Sequence, residues 1–567
     1  MNILGVWDGH DAGAALMVGG RLVAAVNEER LTRRKLEVAF PERSIDACLQ
    51  LGNLQPSAID AVASCTTDVA KALGRLFPST KEAYYQVRRR KAAPGWSADL
   101  RSALKYRVTE WKPNAVSRLA NRWALRRLLS RLGFAGARLH VYDHHECHAA
   151  AAAYASGFDS CLVVTIDGLG DGKAATVSRF RDGRLELLAS TPSSASPGVF
   201  FEHVTHLLNM RELEDEGKVM ALADYASPVA DSDNPLLSLL TVSDLSFKTA
   251  RPSRSLWRPL KGILWRFPSE QFAFMAQRAL EDACARLIAH AVSSTGERRV
   301  ALAGGVASNV KVNRRVRLLP EVEQVFVFPH MGDGGLALGA AALAHAKQAG
   351  QPVLTLDDGL GLGPEYDASV IEAALDARGL HYRRCANVPA SVCDLLVDNN
   401  VVLWFQGRME LGPRALGHRS LLARPDRPEL RDRLNLTLKR RVWYQPFCPS
   451  MLDADARIAL SDFSGAPNRH MTMAYQVADA YRHALVGVMN VDGSCRPQMV
   501  ADAAPGPFAE LLREMRRRIG MGAVLNTSFN IHGSPLVCTP DDAIAVFVES
   551  GADALAIGPF LVRRSDS

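Results

Sequence analysis

The sharpest chemical signal in the chain is His144-His145-Glu146-Cys147-His148. His144 and His148 stand four apart, so on a helix both imidazoles lie on one face, one turn apart. That geometry suits two ligands of a single divalent metal. Histidines also reach this spacing by chance, and carboxylates at strand ends add weight to the metal reading. Asp167 and Asp333 each follow an apolar run and precede glycines. Two His and two Asp make a mixed N/O set suited to iron, manganese or zinc. His145 is either an outer partner of that set or a surface residue.

A second dense patch runs from Gln406 to Ser420 and contains Arg408, Glu410, Arg414 and Arg419. Three arginines within twelve positions, with Gly412-Pro413 between them, cannot be one solvated helix face. Guanidinium forks bind phosphate and carboxylate bidentately, so the patch reads as an anion site. Lys439-Arg440-Arg441 follows, and then Asn526-Thr527-Ser528-Phe529-Asn530 after a short apolar strand. Those small polar residues suit either a ligand edge or an ordinary turn.

The elements that must carry these groups form an α/β pattern. Ile3–Trp7, Ala14–Val18 and Arg21–Val26 read as strands of a hairpin whose turn holds His10 and Asp11. Strand-like runs at 161–166, 299–303 and 325–328 end in Gly168, Gly170 and Gly172, in Gly304 and Gly305, and in Gly332, Gly334 and Gly335. Ligands of α/β sheets bind at such carboxyl ends. Glycines there bring backbone N–H groups close to phosphate oxygens, or simply make tight turns. Ser308 and Asn309 contact a nucleotide or cap the next helix. Glu216-Gly217-Lys218 reads as a loop whose Lys meets phosphate or an ordinary ion-pair partner. From 70 to 131 the text is helical and basic, with Trp96, Trp111 and Trp123. It is a solvated insertion, an RNA-binding surface or a flap over substrate. The irregular text of 356–384 reads as a linker between domains spanning 1–355 and 385–567.

Composition narrows the class. Hydrophobic residues at 48% and charged residues at 22% exclude disordered and fibrous chains. A net charge of +7 over 567 residues fits anionic small substrates and is no nucleic-acid footprint by itself. The ten cysteines show no CxxC pair, as expected of reduced, buried thiols. No signal peptide or bilayer-length apolar run is visible, so a cytoplasmic protein without membrane partners is expected.

Together these words resemble the O-carbamoyltransferase family of natural-product and nodulation-factor biosynthesis. The resemblance runs over nearly the whole chain. It rests on Gly9 to Ala15, Asn27 to Arg30, His144 to Ala150, Glu216 to Met220, Leu302 to Asn309, Gly332 to Gly335, Gly412 to Ser420 and Asn526 to Asn530. It implies an actin/Hsp70-like, duplicated ribonuclease-H-like first domain and a second α/β domain of the carbamoyl-adenylate-forming, YrdC-like kind. In that family ATP, as its Mg complex, and carbamoyl phosphate give carbamoyl-adenylate and pyrophosphate in the second domain. The first domain then transfers the carbamoyl group to the hydroxyl of a small-molecule acceptor.

Carried over, His144, His148, Asp167 and Asp333 look like ligands of an iron-type metal, with manganese or zinc as alternatives. His10, beside Asp11, looks like the base or hydroxyl-positioning group. Lys35, Gly168, Gly170, Glu216, Lys218, Gly304, Gly305 and Asn309 look like nucleotide or adenylate contacts of the first domain. Arg408, Glu410, Arg414, Arg419, Ser420, Lys439, Arg440, Asn526, Ser528 and Asn530 look like the ATP and carbamoyl phosphate contacts of the second. The chain departs from the family's Arg-Glu-x-Phe/Trp-Arg-Pro-Phe-Ala-Pro-Ser pattern at Val442, Gln445 and Cys448. The acceptor is not legible, and a homodimer stays open. An actin-fold small-molecule kinase or an RNA-linked binding module are the competing readings, the first predicting ADP where the transferase predicts AMP.

Overall fold

A computed structural model describes residues 1–93 and 107–564, which leaves Trp96 outside the described part of the basic stretch. The chain divides into two compact units. One holds Met1–Glu28 and Glu37–Thr355, and the other Glu29–Leu36 and Leu356–Ser567.

The first unit repeats one topology twice. β1 (Asn2–Trp7), β2 (Gly13–Val18), β3 (Arg21–Asn27), β4 (Ala61–Cys65) and β5 (Arg138–Tyr142) form a sheet in the order β3-β2-β1-β4-β5. The β1–β2 and β2–β3 pairs are antiparallel, while β4 lies parallel to β1 and β5 parallel to β4. The second half supplies β6 (Ser160–Gly170), β7 (Lys173–Arg181) and β8 (Arg184–Pro192). A side hairpin of β9 (Leu240–Ser243) and β10 (Ser246–Thr249) follows, then β11 (Arg299–Ala303) and β12 (Gln324–Val327). Its sheet runs β8-β7-β6-β11-β12 with the same pattern of parallel and antiparallel neighbours. Two copies of the 3-2-1-4-5 sheet are the duplicated ribonuclease-H-like arrangement of the actin/Hsp70 type.

Alanine and glycine let the helices between the sheets come close. A Cβ on Gly5 of β1 would lie 1.9 Å from the carbonyl oxygen of Ala337, and one on Gly339 would lie 2.1 Å from that of Cys147. The helix Leu336–Ala349 therefore packs directly on β1 and on the helix His144–Ala155. This packing matters for chemistry, because one of those helices begins at His144 and the other directly follows the Asp333 turn.

The second unit is built on one eight-stranded mixed sheet. Its order is Arg383–Arg384, Phe560–Arg563, Ala554–Ile557, Val402–Phe405, Arg419–Ala423, Ala523–Ser528, Cys448–Leu452 and Gln498–Val500. The helices Val388–Val397 and Pro507–Ile519 bury Val392, Leu396, Leu511, Leu512 and Met515 against Trp404, Leu422 and Val524. Residues 356–384, read above as a linker, belong to this unit. They contain the helix Ala368–Ala377, whose Ile371 and Leu375 are buried, and Leu360 and Leu362 are buried too. Lys35 was assigned to the first domain, but its segment Glu29–Leu36 packs with the second. Arg33 anchors that segment on the carbonyl oxygens of Pro535 and Leu536. All ten cysteines are free and buried, as their spacing suggested. Among the described residues no helix is long and apolar enough to cross a membrane.

Candidate metal centre and candidate anion site

The helix His144–Ala155 starts where Asp143 accepts hydrogen bonds from the N–H groups of His145 and Glu146, an N-cap that fixes the first turn. His144 and His148 then face the end of β6 and the Asp333 turn. His144, His148, Asp167 and Asp333 offer ligand atoms all within 4.8 Å of one another, and all four side chains are buried. His144 Nε2 lies 3.2 Å from Asp167 Oδ2 and 3.5 Å from Asp333 Oδ1, which is also 3.5 Å from His148 Nε2. Outer partners hold the ligands. Thr66 Oγ1 lies 3.1 Å from His144 Nδ1, Gly305 N–H donates to Asp167 Oδ1 at 2.7 Å, and Asp171 accepts the His144 N–H at 2.9 Å. Gly170 sits against the His144 ring, where a Cβ would come within 2.3 Å.

The electrostatics of this nest call for a cation. Burial disfavours a charged His144, yet the charges of Asp333 and Asp167 override it and push its pKa up to about 10. Burial opposes ionisation of Asp167 and Asp333, and the surrounding imidazoles nonetheless hold both below the usual carboxylate range. His148 Nε2 is buried without a hydrogen bond. Two ionised carboxylates facing two imidazoles, one with an unsatisfied nitrogen, form a donor set that fits a divalent metal.

His10, at the β1–β2 turn, adjoins this set with Nδ1 3.5 Å from Asp333 Oδ2. Burial lowers its pKa to about 4, so the ring is neutral at physiological pH and can accept a proton. Asp11 occupies a left-handed backbone position (φ 58°), and Asn27 Nδ2 donates to both its carbonyl and its carboxylate. Sequence reasoning missed Tyr85, whose ring stands 5.8 Å from that of His10. Tyr85 lies on the helix Pro78–Arg88 of the basic stretch, and Arg88 on the same helix pairs with Glu202 and Glu212. The described part of that stretch therefore walls His10.

The remaining first-unit candidates fall in several places. Gly304 adopts φ 93° and backs onto Ile166. Gly168 accepts through its carbonyl from Ser196 Oγ at 2.7 Å. Asn309 caps the helix Val310–Arg317 and exchanges hydrogen bonds with Gln277. Glu216 and Lys218 open a helix, Glu216–Leu222, instead of lying in a loop, and Lys218 pairs with Asp215 at 2.8 Å.

In the second unit the strand register brings distant words together. Ser420 pairs with Ser528, and Asn526 with both Leu422 and Cys448. Arg414 Nε is buried without a partner, and burial together with the Arg496 charge lowers that guanidinium to about 9. Arg441 stacks over the Phe447 ring at 4.0 Å and is likewise lowered to about 9 by burial. Arg496 Nε donates to Cys448 Sγ at 3.1 Å. Lys439 is held by the carbonyl of Ser528 and by Asn530 Oδ1 at 2.7 Å; burial, then the charges of Arg441 and Lys35, depress its pKa strongly. This crowd of cations suits anionic oxygen.

Other second-unit candidates serve the frame. Arg419 is fully buried, gives Nη1 to the carbonyls of Gln406 and Gly407 at 2.9 Å, and covers the Phe405 ring at 3.5 Å. Arg408 donates to the carbonyls of Leu362 and Gly363. The Glu410 carboxylate accepts the N–H groups of Leu416, His418 and Arg419, and Ser420 Oγ accepts that of Gly417. Arg440 is exposed at φ 49°, so its neighbour Arg441 enters the cluster in its place. Arg496 had no sequence signal, because nothing in Ser494-Cys495-Arg496-Pro497 marks it.

Fold and sites define a two-unit α/β protein that pairs an actin/Hsp70-type domain bearing a candidate metal centre with a second domain bearing a candidate anion site. Family models described as Carbamoyltransferase N-terminus and Carbamoyltransferase C-terminus match residues 2–342 and 393–564. The chain belongs to the carbamoyltransferase family and is a carbamoyltransferase. Nodulation protein NolNO of Sinorhizobium fredii is 32% identical over 573 residues, covering 98% of this chain and 79% of that protein. An uncharacterised protein of Methanocaldococcus jannaschii is 33% identical over 452 residues, 75% of this chain and 74% of its own length. A solved structure, component A of the Acidaminococcus fermentans (R)-2-hydroxyglutaryl-CoA dehydratase, shows 14% identity and a TM-score of 0.35 over 62% of this chain and 99% of that chain.

Proposed function

We propose that the protein is an ATP-dependent O-carbamoyltransferase that works through carbamoyl-adenylate. The observation that carries this reading is the pairing, in one carbamoyltransferase chain, of a cation-seeking centre beside a neutral His10 with an anion-seeking cluster around Arg414.

In the second unit, Arg414, Arg441, Arg496 and Lys439 bind the phosphates of ATP and carbamoyl phosphate. Water cleaves carbamoyl phosphate to carbamate and orthophosphate. A carbamate oxygen then attacks the α-phosphorus of ATP, its P–O bond forms as the bond to pyrophosphate breaks, and carbamoyl-adenylate results. The cations neutralise charge that builds on the phosphate oxygens. Ser528, Asn530 and Asn526 complete the edge of this site, while Glu410, Arg408, Arg419 and Ser420 hold the loop that presents Arg414.

In the first unit His144, His148, Asp167 and Asp333 would hold a divalent metal, with iron favoured and manganese or zinc suited to the same donors. That metal would supply Lewis-acid polarisation of an adenylate oxygen. Neutral His10 takes the proton of the acceptor hydroxyl as its oxygen attacks the carbamoyl carbon, and AMP leaves. The acceptor is the hydroxyl of a small molecule. The test supplies ATP, carbamoyl phosphate and divalent metal and follows labelled pyrophosphate into ATP. Exchange that requires carbamoyl phosphate is expected. ADP as product, or label entering without carbamoyl phosphate, would refute the adenylate.

A further inference from the structure

We propose that the outward faces of the helices Val69–Leu76 and Ala115–Arg131 dock this protein onto an anionic lipid surface. The first of these helices is built inside out. Its charged Lys71 and Arg75 turn inward and reach Asp8 at 2.8 Å each. Its apolar side, Leu73 and Leu76 with the following Phe77, faces solvent at 48%, 39% and 58% exposure. A surface helix ordinarily turns its apolar stripe to the core; here the Asp8 ion pairs hold the opposite orientation. The adjoining helix touches it through Asn121, which accepts from Arg75 Nη1 at 2.6 Å. There Val116, Leu119 and Trp123, at i, i+3 and i+7, are 78%, 71% and 54% exposed. Six large apolar side chains on two neighbouring helices are more than the scattered exposure normal for a surface.

Charge selects what covers them. Residues 70–131 contain sixteen Lys and Arg and three acidic residues, a charge of +13, so the rest of the chain carries −6. Arg118, Arg122, Arg126, Arg127 and Arg131 are exposed, and among the described residues none of them is ion-paired. Arg127 lies 5.6 Å over the Trp123 ring. A second copy of the chain would set like charge against like charge. RNA would satisfy the arginines and stack on the tryptophan, but it offers nothing to Leu73, Leu76, Val116 and Leu119. An anionic bilayer takes every group, with headgroup phosphates at the guanidinium groups, Trp123 at the interface and the aliphatic chains in the acyl boundary.

Vesicles of phosphatidylcholine containing about one-third phosphatidylglycerol, compared with phosphatidylcholine alone, test this by co-sedimentation. Binding to the anionic vesicles is expected to be at least about tenfold tighter, to weaken about tenfold on going from low to physiological salt, and to blue-shift tryptophan emission. The triple variants Leu73→Ser/Phe77→Ser/Trp123→Ser and Arg122→Gln/Arg126→Gln/Arg127→Gln should each lose about tenfold in binding with the melting temperature unchanged. Should the apolar triple variant fold poorly, Phe77→Ser alone carries the same expectation in smaller measure. Equal binding to both vesicles, or none to either, overturns the proposal. So does loss on removing the arginines but not the apolar side chains, which marks plain electrostatic adsorption. Tighter binding to homopolymeric RNA than to the anionic vesicles overturns it as well.

Discussion

The two centres pose opposite charge problems with mirror-image consequences. Around His144 the Asp333 and Asp167 carboxylates dominate, and they drive it up to about 10. In the second unit guanidinium and ammonium groups crowd with little acid among them, and Arg414 and Arg441 are driven down to about 9. One centre holds a proton tightly because its carboxylates favour positive charge; the other holds its protons less tightly because its cations are buried and repel one another. Neither imbalance would stabilise a fold, since an uncompensated buried charge costs free energy. A ligand of opposite sign would offset each imbalance, and such a pair of ligands is what the proposed phosphate-consuming, metal-assisted group transfer requires.

The strongest way to break this comparison is to disable one centre and measure the other. His148→Ala should strip the metal and lower carbamoyl transfer by roughly three orders of magnitude, while pyrophosphate exchange continues. Metal content by elemental analysis checks the first statement, and unchanged content would defeat the ligand assignment. Arg414→Ala should lower exchange roughly a hundredfold or more, and carbamoyl-adenylate supplied from outside should restore transfer. Failure of that rescue would mean that the two units do not divide the chemistry.

Arg441→Lys sharpens the comparison by keeping charge and removing the fork. Arg441 Nε donates to Asn435 Oδ1 at 2.6 Å while its plane covers Phe447. An ammonium cannot do both, so a loss of roughly tenfold in exchange is expected, seen in KM for ATP or carbamoyl phosphate. An unchanged KM would show that charge alone matters there.

The centres were unequally legible in the sequence, for a physical reason. All four candidate metal-ligand positions lie where local rules speak: His144 and His148 share a helix face, Asp167 lies near the end of β6, and Asp333 opens a short turn after Gly332. The anion cluster is instead assembled from Arg414, Arg441 and Arg496, three words joined only by the pairing of strands around Cys448, Asn526 and Gln498. No spacing announces a contact made through sheet register, and so Arg440 stood in for Arg441 and Arg496 went unseen. The repeated 3-2-1-4-5 sheet was legible as an α/β pattern of strands and glycine turns, but its duplication needed the resemblance. The supposed linker misled because Asp357 to Pro364 is written in turn residues, while its occasional leucines are buried. The basic stretch gave no hint that Tyr85 reaches His10, since nothing local ties a helix to a turn 75 positions earlier.

The smallest effect concerns Glu216, and it tests whether the local surplus of acid around the candidate metal ligands extends beyond them. Burial first, and the charge of Glu202 second, raise its pKa from the usual carboxylate value to about 8. One of its oxygens accepts the Leu213 N–H at 2.7 Å, which favours ionisation without offsetting the burial. The folded protein therefore binds this proton between about pH 4.5 and 8, where the unfolded chain has released it. The contribution to stability is complete below the unfolded value and is lost as pH rises through that window. Glu216→Gln, which mimics the protonated acid, should match the wild type at pH 4.5 and melt a few degrees higher above pH 8. Thermal melting from pH 4.5 to 8.5 measures the gap. A gap that is constant across the range would show that Glu216 is ionised throughout, and that the acid surplus ends at Asp167 and Asp333.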